Sequence, residues 1–370
     1  MTSQEKVAEL LARAGLTLNG PNSYDPQVHD ERVYDRVLAG GTLALGEAYM
    51  DGWWDCNELD EMFARATRAR LDQYVKTPSF ALHVLRSKLF NMQSRARAKQ
   101  VAEEHYDLGN DLYERMLDQE TMAYTCAYWK DAKTLAEAQK AKFDLICRKI
   151  GLKKGDRVLD IGCGFGGFAK YASENYGAEV VGSSVSKEQC AIAERRTQHL
   201  PVDIRFEDYR NTQGEFDHIV SIGMFEAVGS KNFREFMEKA HSLLKEGGFF
   251  LLHTIGANVS HVANDQWYEK YIFKNGMLPS VAQIGRSVEN LFVMEDWHNF
   301  GPYYDLTLKA WFKNFDAAWP ELREKYGDRF YRMWKYYLLQ SAGSFRSRNI
   351  NLWQVVLSKG GTQGVYQTVR

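Results

Sequence analysis

Short apolar runs alternate with amphipathic segments along the second half of the chain. The runs predict buried strands at about 157–161, 179–184, 203–207, 217–222 and 248–254, with two more near 292–299 and 352–357. Helical patterns separate them, which is typical of an α/β fold with a parallel sheet covered by helices on both faces. Ligands bind outside the carboxyl ends of such strands, so we expect the chemistry in the residues that follow each strand.

The pattern before residue 105 is different. It predicts a mainly helical N-terminal domain over 1–104, ahead of a ligand-binding domain over 105–370. Residues 1–20 have the spacing of an amphipathic helix, and residues 59–105 are predicted to be mainly helical. The adjacent tryptophans Trp53–Trp54, flanked by glycines, favour a compact packed turn, and we interpret them as core residues.

One more helix is predicted over 134–150, with Thr134 as its N-cap and Gly151 at its end. Before it, a segment over about 105–133 is dense in polar and aromatic groups without strong helical periodicity, and it could fold over a ligand as a lid. An aromatic insertion over about 257–290 suits either a cover for an apolar substrate or a packed loop.

The first predicted strand of the sheet ends in an acid and glycines at alternate positions: Asp160, Gly162, Gly164 and Gly166. Glycine lets the backbone turn sharply and lets a ligand come close. The spacing is neither the G-x-G-x-x-G of nicotinamide binders nor a phosphate-binding P-loop. It resembles the first motif of class I S-adenosylmethionine (AdoMet) methyltransferases, whose fold is Rossmann-like. The ordinary alternative is a glycine-rich turn.

Hydrogen-bonding and aromatic residues follow the next two strands. Ser184 and Gln189 stand where many methyltransferases have an acid that binds the ribose hydroxyls. Asp208 and Tyr209 could bind adenine, because the acid accepts from the exocyclic amine and the ring packs on the base. For each of these residues, a turn or surface role is the alternative.

Glu226 and His253 follow the fourth and fifth strands, which should lie beside the cofactor. A single histidine in an apolar run is most often a hydrogen-bonded core residue. A carboxylate at the same sheet edge makes the pair a candidate for proton transfer.

Composition narrows the class of protein. The formal charge of −1 predicts no general attraction to nucleic acid. Five cysteines without a C-x-x-C pair predict no disulfide framework, no metal site and a reducing, cytoplasmic compartment. We expect no signal peptide and no bilayer-spanning run of about 20 apolar residues. A basic amphipathic stretch over 86–99 could contact anionic lipid or be a solvated helix face.

A set of motifs identifies a more specific resemblance. The chain is similar to the bacterial cyclopropane-fatty-acyl-phospholipid synthases and, more distantly, to mycolic acid cyclopropane synthases. The matching stretches are 46–54, 106–110, 126–129, 158–167, 223–226, 251–256 and 295–301. The resemblance implies that 105–370 is an AdoMet-dependent catalytic domain with a seven-stranded sheet.

The resemblance also implies a reaction. The cis double bond of a phospholipid acyl chain attacks the methyl group of AdoMet, a proton leaves the new methyl group, and a cyclopropane ring closes. In this family a bound bicarbonate is the base, held at positions that match Glu226, His253, Tyr304, Cys126 and Ile255, the last two through backbone groups. The AdoMet contacts that carry over are Tyr124, Thr125, Gly162, Gly164, Ser184, Gln189, Asp208 and Tyr209.

The family further implies a homodimer and peripheral association with the inner membrane, where the unsaturated phospholipids lie. This favours lipid contact for 86–99. Three positions depart from the family pattern: Ala227 replaces a histidine, Lys274 a proline, and Ser341 a cysteine found in some relatives. Rival interpretations are a fatty-acyl methyltransferase without ring closure, an ordinary small-molecule or protein methyltransferase, and a non-catalytic lipid-binding or AdoMet-sensing protein.

Overall fold

The computed structural model describes residues 1–74 and 109–370. The helices are α1 Ser3–Ala12, α2 Arg32–Met50, α3 Leu59–Arg68, α4 Asn110–Met116, α5 Leu135–Lys149, α6 Gly167–Tyr176, α7 Lys187–Thr197, α8 Phe233–Leu243, α9 Gln266–Tyr271, α10 Val281–Val288, α11 Pro302–Tyr326 and α12 Asp328–Arg346. The strands are β1 Gln27–Val28, β2 Trp54–Asp55, β3 Arg157–Ile161, β4 Glu179–Ser184, β5 Val202–Phe206, β6 Phe216–Ile222, β7 Leu244–Ala257, β8 Val293–Asn299 and β9 Ile350–Ser358.

Contacts among these residues divide them into two compact units. The helical unit contains 1–74, 262–274 and 304–351, and the sheet unit contains 109–261, 275–303 and 352–370. The predicted domain boundary near residue 104 lies outside the described residues and stays a prediction. The grouping of two later segments with the N-terminal residues is a feature that we did not predict.

The sheet unit is built on seven strands in the order β5-β4-β3-β6-β7-β9-β8. Pairing is parallel from β5 through β7, and β8 runs antiparallel to β9. The strand order reverses at β3, which is where doubly wound folds bind ligands at the carboxyl edge. The predicted seven-stranded α/β fold is therefore confirmed, with strand ends within a few residues of the expected positions.

Alternate residues of the central strands belong to two hydrophobic clusters. Val158 of β3 packs with Phe143 of α5 and Phe168 of α6, whereas Leu159 packs with Phe236 of α8 and Ile284 of α10. Successive strand residues point to opposite faces, so the two clusters are the two covered faces of the sheet. Nearly continuous apolar runs are what such doubly covered strands require.

Glycine fixes how closely β7 and its neighbour β9 approach. A Cβ atom added at Gly256 of β7 would overlap the indole ring of Trp353 on β9. The absence of a side chain at Gly256 therefore lets the indole lie directly against the backbone.

The predicted helix over 134–150 is confirmed as α5. Thr134 is its N-cap and forms a capping box with Glu137. Gly151, which follows the helix, has a left-handed backbone with φ of 63°.

The helical unit corrects one prediction and adds an element. The helix predicted over 1–20 covers only Ser3–Ala12, because the chain turns at Gly15 (φ 67°) and buries Leu16. Helix α2 was not predicted; it bends at Gly41, whose φ of 60° is non-helical. The helix predicted over 59–105 is described for Leu59–Arg68, and the stretch from 75 to 105 lies outside the described residues.

The two tryptophans differ in their burial. Trp54 is a core residue, as predicted, and its Nε1 donates to the carbonyl of Leu45 at 3.0 Å. Trp53 is only half-buried, and the guanidinium groups of Arg32 and Arg36 stack on its ring at 4.7 and 4.5 Å. Within 1–74 and 109–370, no helix has the length and apolar content needed to cross a bilayer.

Candidate active site

The glycine turn after β3 has the geometry of a ligand cradle. Gly162, Gly164 and Gly166 all have positive φ (83°, 53° and 77°), so the chain turns through conformations that favour glycine. A Cβ added at Gly164 would meet no described atom within 4 Å, which leaves open space on that side of the turn. This open, side-chain-free surface fits a ligand that lies against the backbone.

Asp160 ends β3 just before this turn. Its carboxyl group is buried, and Oδ1 has no hydrogen-bond partner within the described residues. Burial raises the pKa of Asp160 to about 7, while the nearby Lys142 ammonium acts in the opposite direction. A buried carboxyl oxygen without a partner is costly unless a ligand satisfies it. Asp160 therefore fits the predicted AdoMet contact.

The predicted ribose-binding residues meet at the end of β4. The Ser184 hydroxyl donates to Oε1 of Gln189 at 3.1 Å, and both side chains are buried. Ser186 accepts from the backbone N–H of Gln189 at 3.3 Å and so starts α7 at this point. The helix cap thus brings Gln189 back to the strand tip.

At the end of β5, Asp208 and Tyr209 are held by contacts that we did not predict. Arg210 Nη1 donates to both carboxylate oxygens of Asp208, at 3.2 and 2.9 Å. The Asp208 carboxylate also accepts from the backbone N–H of Arg210 at 2.9 Å. Tyr209 is buried and packs edge-on against Phe236, with 5.0 Å between the ring centroids. A turn role is therefore present at Asp208, and adenine binding stays a prediction.

Two buried polar residues of α5 hold the segment that contains Tyr124, Thr125 and Cys126. Gln139 Nε2 donates to the carbonyl of Thr125 at 2.9 Å, and Lys142 Nζ donates to the Thr125 hydroxyl at 2.8 Å. Lys142 also donates to Gln139 Oε1 at 2.7 Å. Burial lowers the pKa of Lys142 to about 7.

We did not predict Gln139 and Lys142 from the sequence. The signal was present as two polar residues three positions apart within the apolar stripe of a predicted helix, a spacing at which side chains are neighbours. Gly223 at the end of β6 completes this arrangement. A Cβ there would lie only 2.5 Å from Thr125 Cγ2, so glycine lets the segment approach the sheet edge.

Glu226 lies in a 3₁₀ turn after β6, and its two carboxyl oxygens have different surroundings. Oε1 accepts from the backbone N–H of Ile255 at 2.6 Å. Oε2 is buried and has no hydrogen-bond partner among residues 1–74 and 109–370. Burial raises the pKa of Glu226 to about 7, so the group can hold a proton near neutrality. Since Glu226 already uses the N–H of Ile255, that predicted backbone donor would have to be shared with an anion.

His253 lies on β7, on the same strand face as Ile255 two positions on. The ring is fully buried, and its Nδ1 lies 3.3 Å from Nε2 of Gln354 on β9. Its Nε2 has no partner in the described part of the chain. Burial, with the positive charges of Lys142 and Lys149, lowers the pKa of His253 well below its usual value. The imidazole is therefore neutral at physiological pH.

The remaining two predicted residues are placed as follows. Cys126 is buried in the sheet unit, and its thiol donates to the carbonyl of Ala127 at 3.3 Å. Tyr304 belongs to the helical unit, where its ring lies 4.4 Å from Phe345 and 5.9 Å from Trp311. The structure thus brings together Glu226, Ile255 and His253, and the predicted role of Tyr304 beside them stays a prediction. Residues 105–108 of the predicted lid lie outside the described residues.

The reversal of strand order at β3, the glycine turn and the polar groups at neighbouring strand tips define a class I AdoMet-methyltransferase fold. Comparison with known proteins narrows this class. A family model described as mycolic acid cyclopropane synthetase matches residues 93–355, and the chain belongs to that family.

Individual relatives agree with this family. The chain is 51% identical over 358 residues to the cyclopropane-fatty-acyl-phospholipid synthase of Escherichia coli (strain K12), which covers 96% of this chain and 94% of that protein. The structure of the cyclopropane synthase MmaA2 from Mycobacterium tuberculosis has a TM-score of 0.67 and 29% identity, covering 70% of this chain and 98% of that one. Mycolic acid cyclopropane synthase CmaA1, complexed with SAH and CTAB, has a TM-score of 0.66 and 30% identity, with coverages of 70% and 98%. The predicted resemblance is confirmed.

Proposed function

We propose that this chain is a cyclopropane-fatty-acyl-phospholipid synthase. It transfers the methyl carbon of AdoMet to a cis double bond of a phospholipid acyl chain and closes a cyclopropane ring. The observation that carries the proposal is the presence of two buried polar atoms, Glu226 Oε2 and His253 Nε2, at the tips of adjacent strands, neither with a hydrogen-bond partner among the described residues. They lie in a chain that is 51% identical to such a synthase.

The chemistry makes three demands on the protein. The π electrons of the double bond form a bond to the methyl carbon as the sulfur–methyl bond breaks, which leaves a carbocation and S-adenosylhomocysteine. A proton then leaves the new methyl group, and its bonding electrons close the ring. The site must exclude water, which would trap the cation, and aromatic faces can stabilise positive charge. The buried Oε2 atom of Glu226 and the buried ring of His253 support the exclusion of water, and the ring of Phe300, 6.0 Å from His253, supports the stabilisation of positive charge.

The third demand is a base for the methyl proton, and we propose that it is a bound bicarbonate. Glu226, His253, Tyr304 and the backbone of Cys126 and Ile255 would hold this anion. Glu226 Oε2 and His253 Nε2, which have no partner in the part of the chain that the structure describes, fit it, because a protonated carboxyl group and a neutral imidazole can each donate a hydrogen bond. When bound, bicarbonate supplies a basic oxygen that AdoMet does not readily alkylate.

We further propose that the enzyme is a homodimer that binds the inner membrane peripherally from the cytoplasmic side. Its substrate lies in a bilayer, and the basic stretch 86–99, outside the described residues, has the composition that attracts anionic lipid. Removal of charge at Arg86, Lys88, Arg95 and Arg97 should lower activity on anionic vesicles more than on short-chain soluble lipid. Equal losses on both would contradict the membrane contact, and the mass in solution by light scattering tests the dimer.

The reaction itself is tested by mass spectrometry of unsaturated phospholipid vesicles after incubation with the enzyme and AdoMet. Ring closure adds one CH₂ and removes the double bond, so the product resists mild hydrogenation. The same added mass in a product that still hydrogenates would mean methylation without closure. No added mass would overturn the substrate assignment and leave the fold unchanged.

A further inference from the structure

Gln354 is a buried polar residue of the sheet that no step of the reaction yet uses. It lies on β9, where all residues from Asn351 to Ser358 are buried. An amide in such surroundings is costly unless it is hydrogen-bonded. Gln354 Nε2 lies 3.3 Å from His253 Nδ1, and Gln354 Oε1 has no hydrogen-bond partner within the described ranges.

This contact determines where His253 carries its proton. The NH₂ group of an amide can only donate, so Nδ1 of His253 must accept with its lone pair. A neutral imidazole carries one proton, which is then on Nε2. Nε2 is the ring atom that is buried and unpartnered in the described part of the chain.

We propose that Gln354 is a positioning residue that holds His253 as the neutral Nε2–H tautomer. His253 then donates a hydrogen bond to an oxygen in the site and does not itself remove the methyl proton. The part of this inference that concerns the reaction rests on the proposed function, whereas the tautomer is a property of the protein alone.

The opposite arrangement makes the inference testable. If the carbonyl oxygen of Gln354 faced the ring, Nδ1 would carry the proton and Nε2 would present a lone pair, which is a base. The choice between a donor and a base at Nε2 thus depends on which end of one amide faces the ring. An anion beside Nε2 favours the donor, in agreement with the orientation observed.

The tautomer can be read from ¹⁵N chemical shifts of histidine-labelled full-length protein, with the His253 signals assigned by their loss in His253→Ala. We expect a pyridine-type shift at Nδ1 and a pyrrole-type shift at Nε2, without lipid present. The reverse pattern would overturn the proposal, whether or not the enzyme makes a cyclopropane product. Conversely, absence of product with the expected tautomer would refute the proposed function and leave the role of Gln354 standing.

Two variants test the dependence on Gln354. Gln354→Met keeps the length of the side chain but cannot donate, and it should lower turnover about tenfold or more with little change in AdoMet affinity. Gln354→Glu accepts from Nδ1–H, so it should reverse the tautomer and make the ring easier to protonate, which moves the pH profile of turnover. Ser358→Ala is the matched control, since Ser358 is buried on the same strand and donates to Glu295.

The control should keep the wild-type tautomer, turnover and pH profile even if it is somewhat less stable. Wild-type turnover and tautomer in Gln354→Met would overturn the proposal. If both Gln354 variants fail to fold, the wild-type shifts still decide the tautomer.

Discussion

The helical unit and the sheet unit each contain a cluster of buried or half-buried ionisable groups, and the two clusters differ in their hydrogen bonds. In the helical unit, Arg346 donates to Asp305 at 2.9 and 3.0 Å, to Glu61 at 3.1 Å, and also to Asp60. These bonds raise the pKa of Arg346 above its already high value, which keeps the guanidinium charged. Each of the three carboxylates accepts a hydrogen bond from Arg346.

At the sheet edge the reverse holds. Asp160, Glu226 and His253 each leave a buried atom without a partner in the described residues. Burial raises the pKa of the two carboxyl groups and lowers the pKa of the imidazole, so it favours the neutral form of each group. Charged groups with hydrogen-bond partners stabilise a fold. Buried polar atoms without partners lower its stability, and their presence indicates a ligand. The difference distinguishes a structural cluster from a site more reliably than residue type does.

The largest expected effect is on turnover, at Glu226 and His253. Glu226→Gln and His253→Ala should each lower turnover by about 100-fold or more, because an amide cannot take up or release a proton and alanine lacks the hydrogen-bond donor of His253 Nε2. AdoMet affinity, measured by calorimetry, should stay nearly intact. Loss of AdoMet binding in both variants would instead assign the two residues to the AdoMet site.

The next effect is on stability and belongs to the helical unit. Arg346→Met removes the guanidinium group that pairs with Asp305 and leaves Asp60 with the weaker contact to Lys309 at 3.5 Å, so the free energy of unfolding should fall by about 3 kcal/mol. AdoMet affinity should not change. Arg323→Met is the control, because its pair with Asp328 is exposed and should contribute less than about 1 kcal/mol. Equal losses in denaturant titrations would contradict the special role of the Arg346 cluster.

Asp160→Ala should weaken AdoMet binding by about tenfold or more, since it removes the carboxyl hydrogen-bond acceptor beside the glycine turn. Turnover at saturating AdoMet should fall much less. Isothermal titration separates the two quantities, and an unchanged dissociation constant would show that Asp160 Oδ1 does not face AdoMet.

A smaller effect should appear in the pH dependence of stability without ligand. Because the pKa of Asp160 is raised to about 7 in the folded state, its contribution is present at low pH and is lost as pH rises through 7. Asp160→Asn cannot ionise and avoids this loss. Relative to the wild type, its free energy of unfolding should therefore increase by about 2 kcal/mol between pH 5 and pH 8. No change across this range would mean that Asp160 has an ordinary pKa.

Much of this site could be predicted from the sequence, because a parallel sheet brings the residues after successive strands to one edge. Local apolar runs located β3 to β7, and the tips of those strands then pointed to Asp160, Glu226 and His253. The parallel order of the strands then predicts that these residues lie near one another, although their spacing along the chain does not give the distances between them.

The residues that support the site were not predictable in this way. Lys142 and Gln354 contact Thr125 and His253, which are 17 and 101 residues away in the sequence, and the local pattern does not show which residue either of them contacts. Helix α2 was missed because glycines within it, including Gly41, suggested a turn. Tyr304 was named only through family resemblance, because nothing in its local pattern indicates proton chemistry.

The close approach of Gly256 to Trp353 has a consequence for how this enzyme can vary. Any side chain at position 256 would displace the indole, and position 353 immediately precedes Gln354 on the same strand. The two strands can therefore change only together: a larger residue at 256 would be tolerated only with a smaller one at 353. In a library that randomises both positions, active clones should show this inverse relation in side-chain volume. Positions 256 and 353 should therefore vary together among active sequences.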